Sequence, residues 1–253
     1  MMIEKYIDQI NNQYKKVYSI YLTSGFPDTK NFVKIALNLI ESGADILELG
    51  IPFSDPMADG PVIQFSSDTA LKNGVKITDI LKFTEQIRNN VNIPIVIMTY
   101  ANPVLAYGVN NFYQDFFNSG ANGVIIPDIP LEEFKQFKSA KLQNILLAAP
   151  NLPEERIKKI DKLSKGFVYG VSVTGVTGER NNLAQIALQN VKKLRDNVRN
   201  NKLLIGFGIN SKETIQNFSN FCDGFIIGSA IIKKLIDDKT GQSAVNFLKT
   251  LKE

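Results

Sequence analysis

The stretch LELGIPFSDPMADG, residues 47–60, places three carboxylates, Glu48, Asp55 and Asp59, in one short segment punctuated by proline and glycine. Glu48 stands among Ile46, Leu47, Leu49 and Gly50, so a strand formed here buries its carboxyl. An ionised carboxylate without a partner is costly in such surroundings. Burial also raises its pKa toward the range that a general acid–base needs near neutrality. The plain alternative is a structural ion pair, but the neighbouring apolar runs offer almost no inward lysine. Asp59 precedes Gly60 and Asp55 precedes Pro56, patterns that ordinarily make turns. Asp59 gains weight from its position, because its loop follows the strand carrying Glu48 and lets two carboxylates face one cavity. Glu48 and Asp59 are the candidate catalytic pair.

Composition narrows the chemistry further. The 253-residue chain has no histidine, which removes Ser-His-Asp and Cys-His nucleophiles and every histidine-based metal site. One cysteine, Cys222, excludes an intrachain disulfide and any multi-cysteine zinc site. Proton transfer must therefore use Asp, Glu, Tyr, Lys or Cys222. A net charge of +4, with lysines spread along helix-like segments, lacks the concentrated basic face that nucleic acid requires. Neither a leader segment nor an apolar run near the roughly 18 residues of a membrane span is evident. The expectation is a cytoplasmic protein, or one of an organelle interior such as a plastid stroma.

A second group of residues suits an anion. Glycine-containing strand ends occur in TGVTGER (174–180), GFGINS (206–211) and DGFIIGSA (223–230), and less persuasively in SGANG (119–123). Phosphate binding needs close backbone approach and N–H donors, which glycine and a helix N-terminus supply. Gly208 and the Gly228–Ser229 pair are the clearest candidates for a phosphorylated small-molecule ligand.

The elements that must position these groups alternate along the chain. Apolar runs at 17–23, 45–50, 93–99, 122–128, 144–150, 167–173, 202–208 and 223–229 read as strands. Amphipathic stretches such as TKNFVKIALNLIESG and ITDILKFTEQIRNN separate them. Continuous apolarity marks strands covered on both faces, the parallel-sheet pattern. Eight such units in this length predict a single (β/α)8 TIM barrel over residues 1–253, with a doubly wound open sheet as the alternative. An extra N-terminal helix lies across the barrel, and long loops follow strand 2 (about 51–77) and strand 6 (about 174–190).

LELGIPFSDPMADGPVIQ is similar, nearly position for position, to the signature of the tryptophan synthase alpha subunit family. YANPVLAYG, PDIPLEE, VSVTGVTGER, GFGI and DGFIIGSAII follow in that family's order and at about its spacing, so the resemblance spans essentially the whole chain. It implies a barrel that cleaves indole-3-glycerol phosphate to indole and glyceraldehyde 3-phosphate by a retro-aldol reaction, without metal or organic cofactor. It implies Glu48 as general acid–base toward the indole ring carbon and the glycerol hydroxyl, and Asp59 as the partner of the indole N–H. Tyr169 would lie near Glu48, and Thr177 would meet Asp59 when its loop closes. The phosphate would rest on Gly178, Gly208, Gly228 and Ser229, while Tyr21, Met98, Tyr100, Ile129 and Phe207 are candidates for the pocket wall. The resemblance also implies an αββα complex with a beta subunit, which alone would carry pyridoxal phosphate. Asp55–Pro56, Asn102–Pro103 and Asp128–Pro130 would form the partner surface. A regulatory binding subunit and a free-standing lyase are the competing readings.

Overall fold

The eight apolar runs form eight parallel strands in the computed structural model: β1 (Val17–Thr23), β2 (Ile46–Gly50), β3 (Ile95–Met98), β4 (Gly123–Ile125), β5 (Gln143–Ala148), β6 (Val168–Val171), β7 (Leu203–Gly206) and β8 (Gly224–Ile227). Each pairs with the next and β8 pairs with β1, closing a TIM barrel. The structure describes residues 1–172, 180–206 and 208–252, with the side chains of 180–184 outside that description. Every residue of β1, β2, β7 and β8 is buried, as expected of strands packed on both faces.

The helices are α1 (Ile3–Asn11), α2 (Phe32–Glu41), α3 (Pro61–Lys72), α4 (Ile77–Arg88), α5 (Ala101–Tyr107), α6 (Val109–Asn118), α7 (Phe134–Phe137), α8 (Glu154–Leu163), α9 (Arg180–Asn197), α10 (Lys212–Phe218), α11 (Ser229–Asp237) and α12 (Gln242–Lys252). Most lie outside the barrel, and their apolar faces join the outward strand residues in one large core. A second apolar cluster fills the interior, where Val17, Ile46, Val96, Ile125, Ile145, Leu204 and Ile226 meet Ile3 and Ile7 of α1. The four-residue spacing puts Ile3 and Ile7 on one face of α1. Ile3 N–H donates to Gln143 Oε1 at 2.7 Å, and Asn11 Nδ2 donates to the Asp223 carbonyl at 2.9 Å, both where strands begin. This helix thus closes the N-terminal end of the barrel. A ligand must enter at the strands' C-terminal ends.

The two connections differ from the sequence expectation. After β2 the irregular segment ends at Gly60, and α3 opens with Pro61 at a first-turn position that suits proline. The apolar periodicity of α3 is weak because it buries Ser66 and Ser67 among its inward residues. Ser66 Oγ bonds the Ile63 carbonyl at 2.8 Å and Thr23 Oγ1 at 2.6 Å, which satisfies a polar group where the pattern would have wanted an apolar one. After β6, α9 begins at Arg180, so much of the expected loop is helix. Among the described residues no helix is long and apolar enough to cross a membrane.

The plug helix yields a stability prediction. Ile7→Ala should cost roughly 2–5 kcal/mol in urea unfolding, through lost burial and a residual cavity. A loss below about 0.5 kcal/mol, the range of ordinary surface substitutions, would show that α1 does not seal the interior.

Candidate active site

Glu48 is the third residue of β2, opposite Tyr21 of β1 and Val96 of β3. Its side chain is 0% exposed. Ser19 Oγ–H donates to Glu48 Oε1 at 2.6 Å, while Oε2 is buried and has no partner among the described residues. Burial pushes this carboxyl up to about 7, against the smaller, opposing pull of the Ser19 hydrogen bond. Among the described residues, the predicted buried acid therefore stands in the strand without any lysine or arginine acting on it.

Asp59 occupies the turn before α3, where its N–H donates to the Pro56 carbonyl at 3.0 Å. Tyr100 Oη–H donates to Asp59 Oδ2 at 2.8 Å, and Ala58 N–H donates to the same tyrosine oxygen at 3.1 Å. Phe53 stacks on the Tyr100 ring with centroids 5.4 Å apart. Burial raises the Asp59 pKa and the Tyr100 hydrogen bond partly offsets it. Asp59 is half-buried and keeps a face toward solvent, while Glu48 is fully buried.

Between the strand ends lies a cavity of about 280 Å³. Asp59 and the first turn of α3, Gly208, Gly228 and Ser229 line it together with Tyr21, Met98, Tyr169 and Ile226. Glu48 lines none of it; it is enclosed within electrostatic reach of Tyr21 and Tyr169. Both phenols are held neutral, first by burial and then by the Glu48 and Asp59 charges. Each tyrosine reaches its place over a glycine on the adjacent strand. A Cβ at Gly50 would strike the Tyr21 ring, and one at Gly206 would strike that of Tyr169.

The part of the lining made by Gly228 and Ser229 is suited to an anion. Gly228 is the N-cap of the nine-residue α11 and no side chain caps it, so the N–H groups of its first turn lack an intrahelical partner at the helix's positive end. By contrast α10 is capped by its own Ser211, whose Oγ accepts from Thr214 N–H at 3.2 Å. A ligand with a planar apolar body near Asp59 and a phosphate near Ser229 matches this lining.

Residues 7–252 match the family model described as tryptophan synthase alpha chain. The chain belongs to the tryptophan synthase alpha chain family. It is similar to the tryptophan synthase alpha chain of Petrotoga mobilis, 43% identical over 244 residues covering 94% of this chain and 92% of that one. The alpha chain of Flavobacterium psychrophilum is 42% identical, with 92% and 94% covered. Among solved structures, tryptophan synthase from M. tuberculosis in its aminoacrylate-bound form superposes with a TM-score of 0.87 at 31% identity, covering 98% of this chain and 97% of that one. Tryptophan synthase subunit alpha from Legionella pneumophila gives 0.88 at 32%, covering 100% and 97%. The reaction of a tryptophan synthase alpha chain is the lyase cleavage of indole-3-glycerol phosphate to indole and D-glyceraldehyde 3-phosphate, a step of tryptophan biosynthesis.

The geometry sorts the residues singled out in the sequence. Tyr21, Met98, Tyr169, Gly208, Gly228 and Ser229 gather with Asp59 around one cavity. Tyr100 stands behind Asp59 as its hydrogen-bond donor and does not line the cavity. Ile129 is displaced from the expected wall; it packs with Val124, Ile126, Phe134 and Phe137 around a separate small gap, because the chain has already turned outward past β4. SGANG makes the turn into β4, with Gly120 at φ 95°, and takes no part in the cavity. Thr177, Gly178 and Phe207 lie outside the described residues. Asp55 and Asn102 are exposed, Pro56 is half-buried, and Asp128 accepts the Ala101 N–H at 2.9 Å, fixing the start of α5. Ser19, which touches Glu48, went unread in the sequence; its signal was a lone small polar residue inside the apolar run VYSIYLT. Among the described residues no cluster of His, Cys, Asp or Glu is arranged to hold a metal ion.

The buried acid should be visible in stability. The folded value of about 7 lies above the usual 4.5 for Glu. Its favourable contribution is therefore complete below the unfolded value and is lost as pH rises through the folded one. Glu48→Gln should equal the wild type near pH 4 and exceed it by on the order of 3 kcal/mol above about pH 8. Parallel stability–pH curves for the two proteins from urea unfolding would contradict a raised Glu48 pKa.

Proposed function

We propose that Glu48 and Asp59 carry the cleavage, with Glu48 as the acid–base and Asp59 as the fixed anion. The observation that supports this best is the burial of Glu48 with a neutral-range pKa and one oxygen unclaimed, beside a cavity lined by the Asp59 carboxylate and by the uncapped start of α11. With substrate bound, the indole ring lies between Tyr21 and Tyr169 with its N–H toward Asp59, and the phosphate lies on Gly208, Gly228 and Ser229. Seated between these rings, the substrate brings the ring carbon that bears the glycerol chain against Glu48, and the protonated acid transfers its proton to it, the O–H electron pair remaining on the carboxylate. Positive charge then grows on the ring, and Asp59 stabilises it through the N–H. The Glu48 carboxylate next takes the proton of the adjacent chain hydroxyl. The carbon–carbon bond breaks as the aldehyde forms, its electron pair restores the aromatic ring, and Glu48 regains its proton. Two carboxyls thus serve two roles because their surroundings differ.

Tyr100 holds Asp59 in place before substrate arrives, since its hydroxyl occupies Oδ2 and leaves the other oxygen for the indole N–H. Thr177, Gly178 and Phe207 complete the proposed substrate contacts on the strength of their motifs alone. No metal or organic cofactor of its own enters this scheme.

The chain is further proposed to fold as one barrel domain over residues 1–253 and to act in a cytoplasm, with an organelle stroma as the other possibility. It would pair with a beta subunit in an αββα heterotetramer, passing indole to a pyridoxal-phosphate site on that partner. The partner surface would run over Asp55–Pro56, Asn102–Pro103 and Asp128–Pro130. The exposed apolar side chains Met57 (88%) and Leu105 (55%), on those same segments, support an interface there.

Indole release from indole-3-glycerol phosphate by the purified chain, with and without a beta subunit, tests the scheme. Glu48→Gln should lower kcat on the order of 100-fold or more while the fold persists. Retained turnover in that variant would remove Glu48 from the reaction.

A further inference from the structure

Ser19 lies at the centre of the site without touching the cavity. It is fully buried in β1, with Ile46 of β2 and Ile226 of β8 as its strand partners. Those two residues belong to the apolar cluster that fills the barrel interior, with Val17 and Val96 among its other members. A serine here gives up packing that a branched apolar side chain would supply. What it makes instead is the 2.6 Å hydrogen bond to Glu48 Oε1 across the strand pair. A hydroxyl donates in that bond whether the carboxyl is neutral or ionised, whereas Oε2 has no partner.

We infer that Ser19 is the positioning residue of the acid: by holding Oε1 it locks the carboxyl's orientation and leaves Oε2 as the one atom through which the proton leaves and returns. This rests on the assignment of Glu48 as the acid–base. The Oε2–H bond breaks as the ring C–H bond forms, the electron pair stays on Oε2, and Oε2 then takes the chain hydroxyl proton. The Ser19 proton stays on its own oxygen throughout. A donor to the carboxyl favours the ionised form, so its loss drives the Glu48 titration upward. The other titratable groups facing Glu48 are Tyr21 from β1 and Tyr169 from β6, and the Asp59 carboxylate acts on the same two phenols. β3 and β8 present apolar Val96 and Ile226.

The test is the pH dependence of kcat and KM for indole release by the wild type, Ser19→Ala, Ser19→Thr and Glu48→Gln. Ser19→Ala should lower kcat on the order of 10-fold, leave KM within about 2-fold because Ser19 lines no part of the cavity, and move the alkaline limb of the profile to higher pH. Ser19→Thr, which keeps the hydroxyl, should restore both kcat and the wild-type limb. An unmoved limb in a folded Ser19→Ala protein, or a loss confined to thermal stability, overturns the inference while an inactive Glu48→Gln keeps the acid assignment. An active Glu48→Gln overturns both.

Discussion

The desolvation of one carboxyl group governs the organisation of this barrel. Glu48 is placed where the interior offers no counter-charge, so its ionised form is penalised and its proton is held to about neutral pH. Everything around it preserves that condition. The strands on either side are covered on both faces, an apolar cluster fills the interior, and Tyr21 and Tyr169 stand within electrostatic reach of the acid as neutral phenols. A lysine in place of any inward neighbour would convert the acid into half of an ion pair and end its usefulness near neutrality.

The remaining architecture distributes charge around that fixed point. α1 blocks the N-terminal end with Ile3 and Ile7, so ligands approach from the strands' C-terminal side, where the turns carry polar groups. Asp59 is fixed by the Pro56 turn, the start of α3 and the Tyr100 hydroxyl. The uncapped N-terminus of α11 adds the opposite polarity to the lining of the same cavity. A substrate that develops positive charge at one end and carries a phosphate at the other is stabilised at both. The glycines at 50 and 206 let the two tyrosines lie flat enough on neighbouring strands to leave a slot between these groups.

Much of this was legible in the sequence, for definite reasons. Continuous apolar runs give parallel strands directly, and all eight fall where β1–β8 lie. Glu48 was readable because a charged residue inside such a run contradicts its surroundings, and the long motif around it carries the family resemblance. Helix α3 was not readable as a helix, since Ser66 and Ser67 face inward and erase the apolar stripe. Ile129 was misplaced because an apolar residue after a strand can turn either toward the cavity or away from it, and composition does not distinguish the two. Ser19 escaped notice for a similar reason. Whether a buried hydroxyl serves its own backbone or a carboxyl on the next strand depends on strand register, and here β1 and β2 set Ser19 opposite Ile46, within reach of Glu48.

Because the account turns on the proton held by a single buried acid, the most direct measurement is a titration of the Glu48 carboxyl itself in the ligand-free chain. Glutamate carboxyl carbons labelled with carbon-13 and followed by NMR across pH, with Glu48→Gln assigning the resonance, would report it. The account predicts a Glu48 midpoint near 7, well above the roughly 4.3 of a free glutamate side chain. A Glu48 resonance titrating at the free-glutamate value would mean that the carboxyl is solvated or paired at rest, and the desolvated acid at the centre of this barrel would not exist.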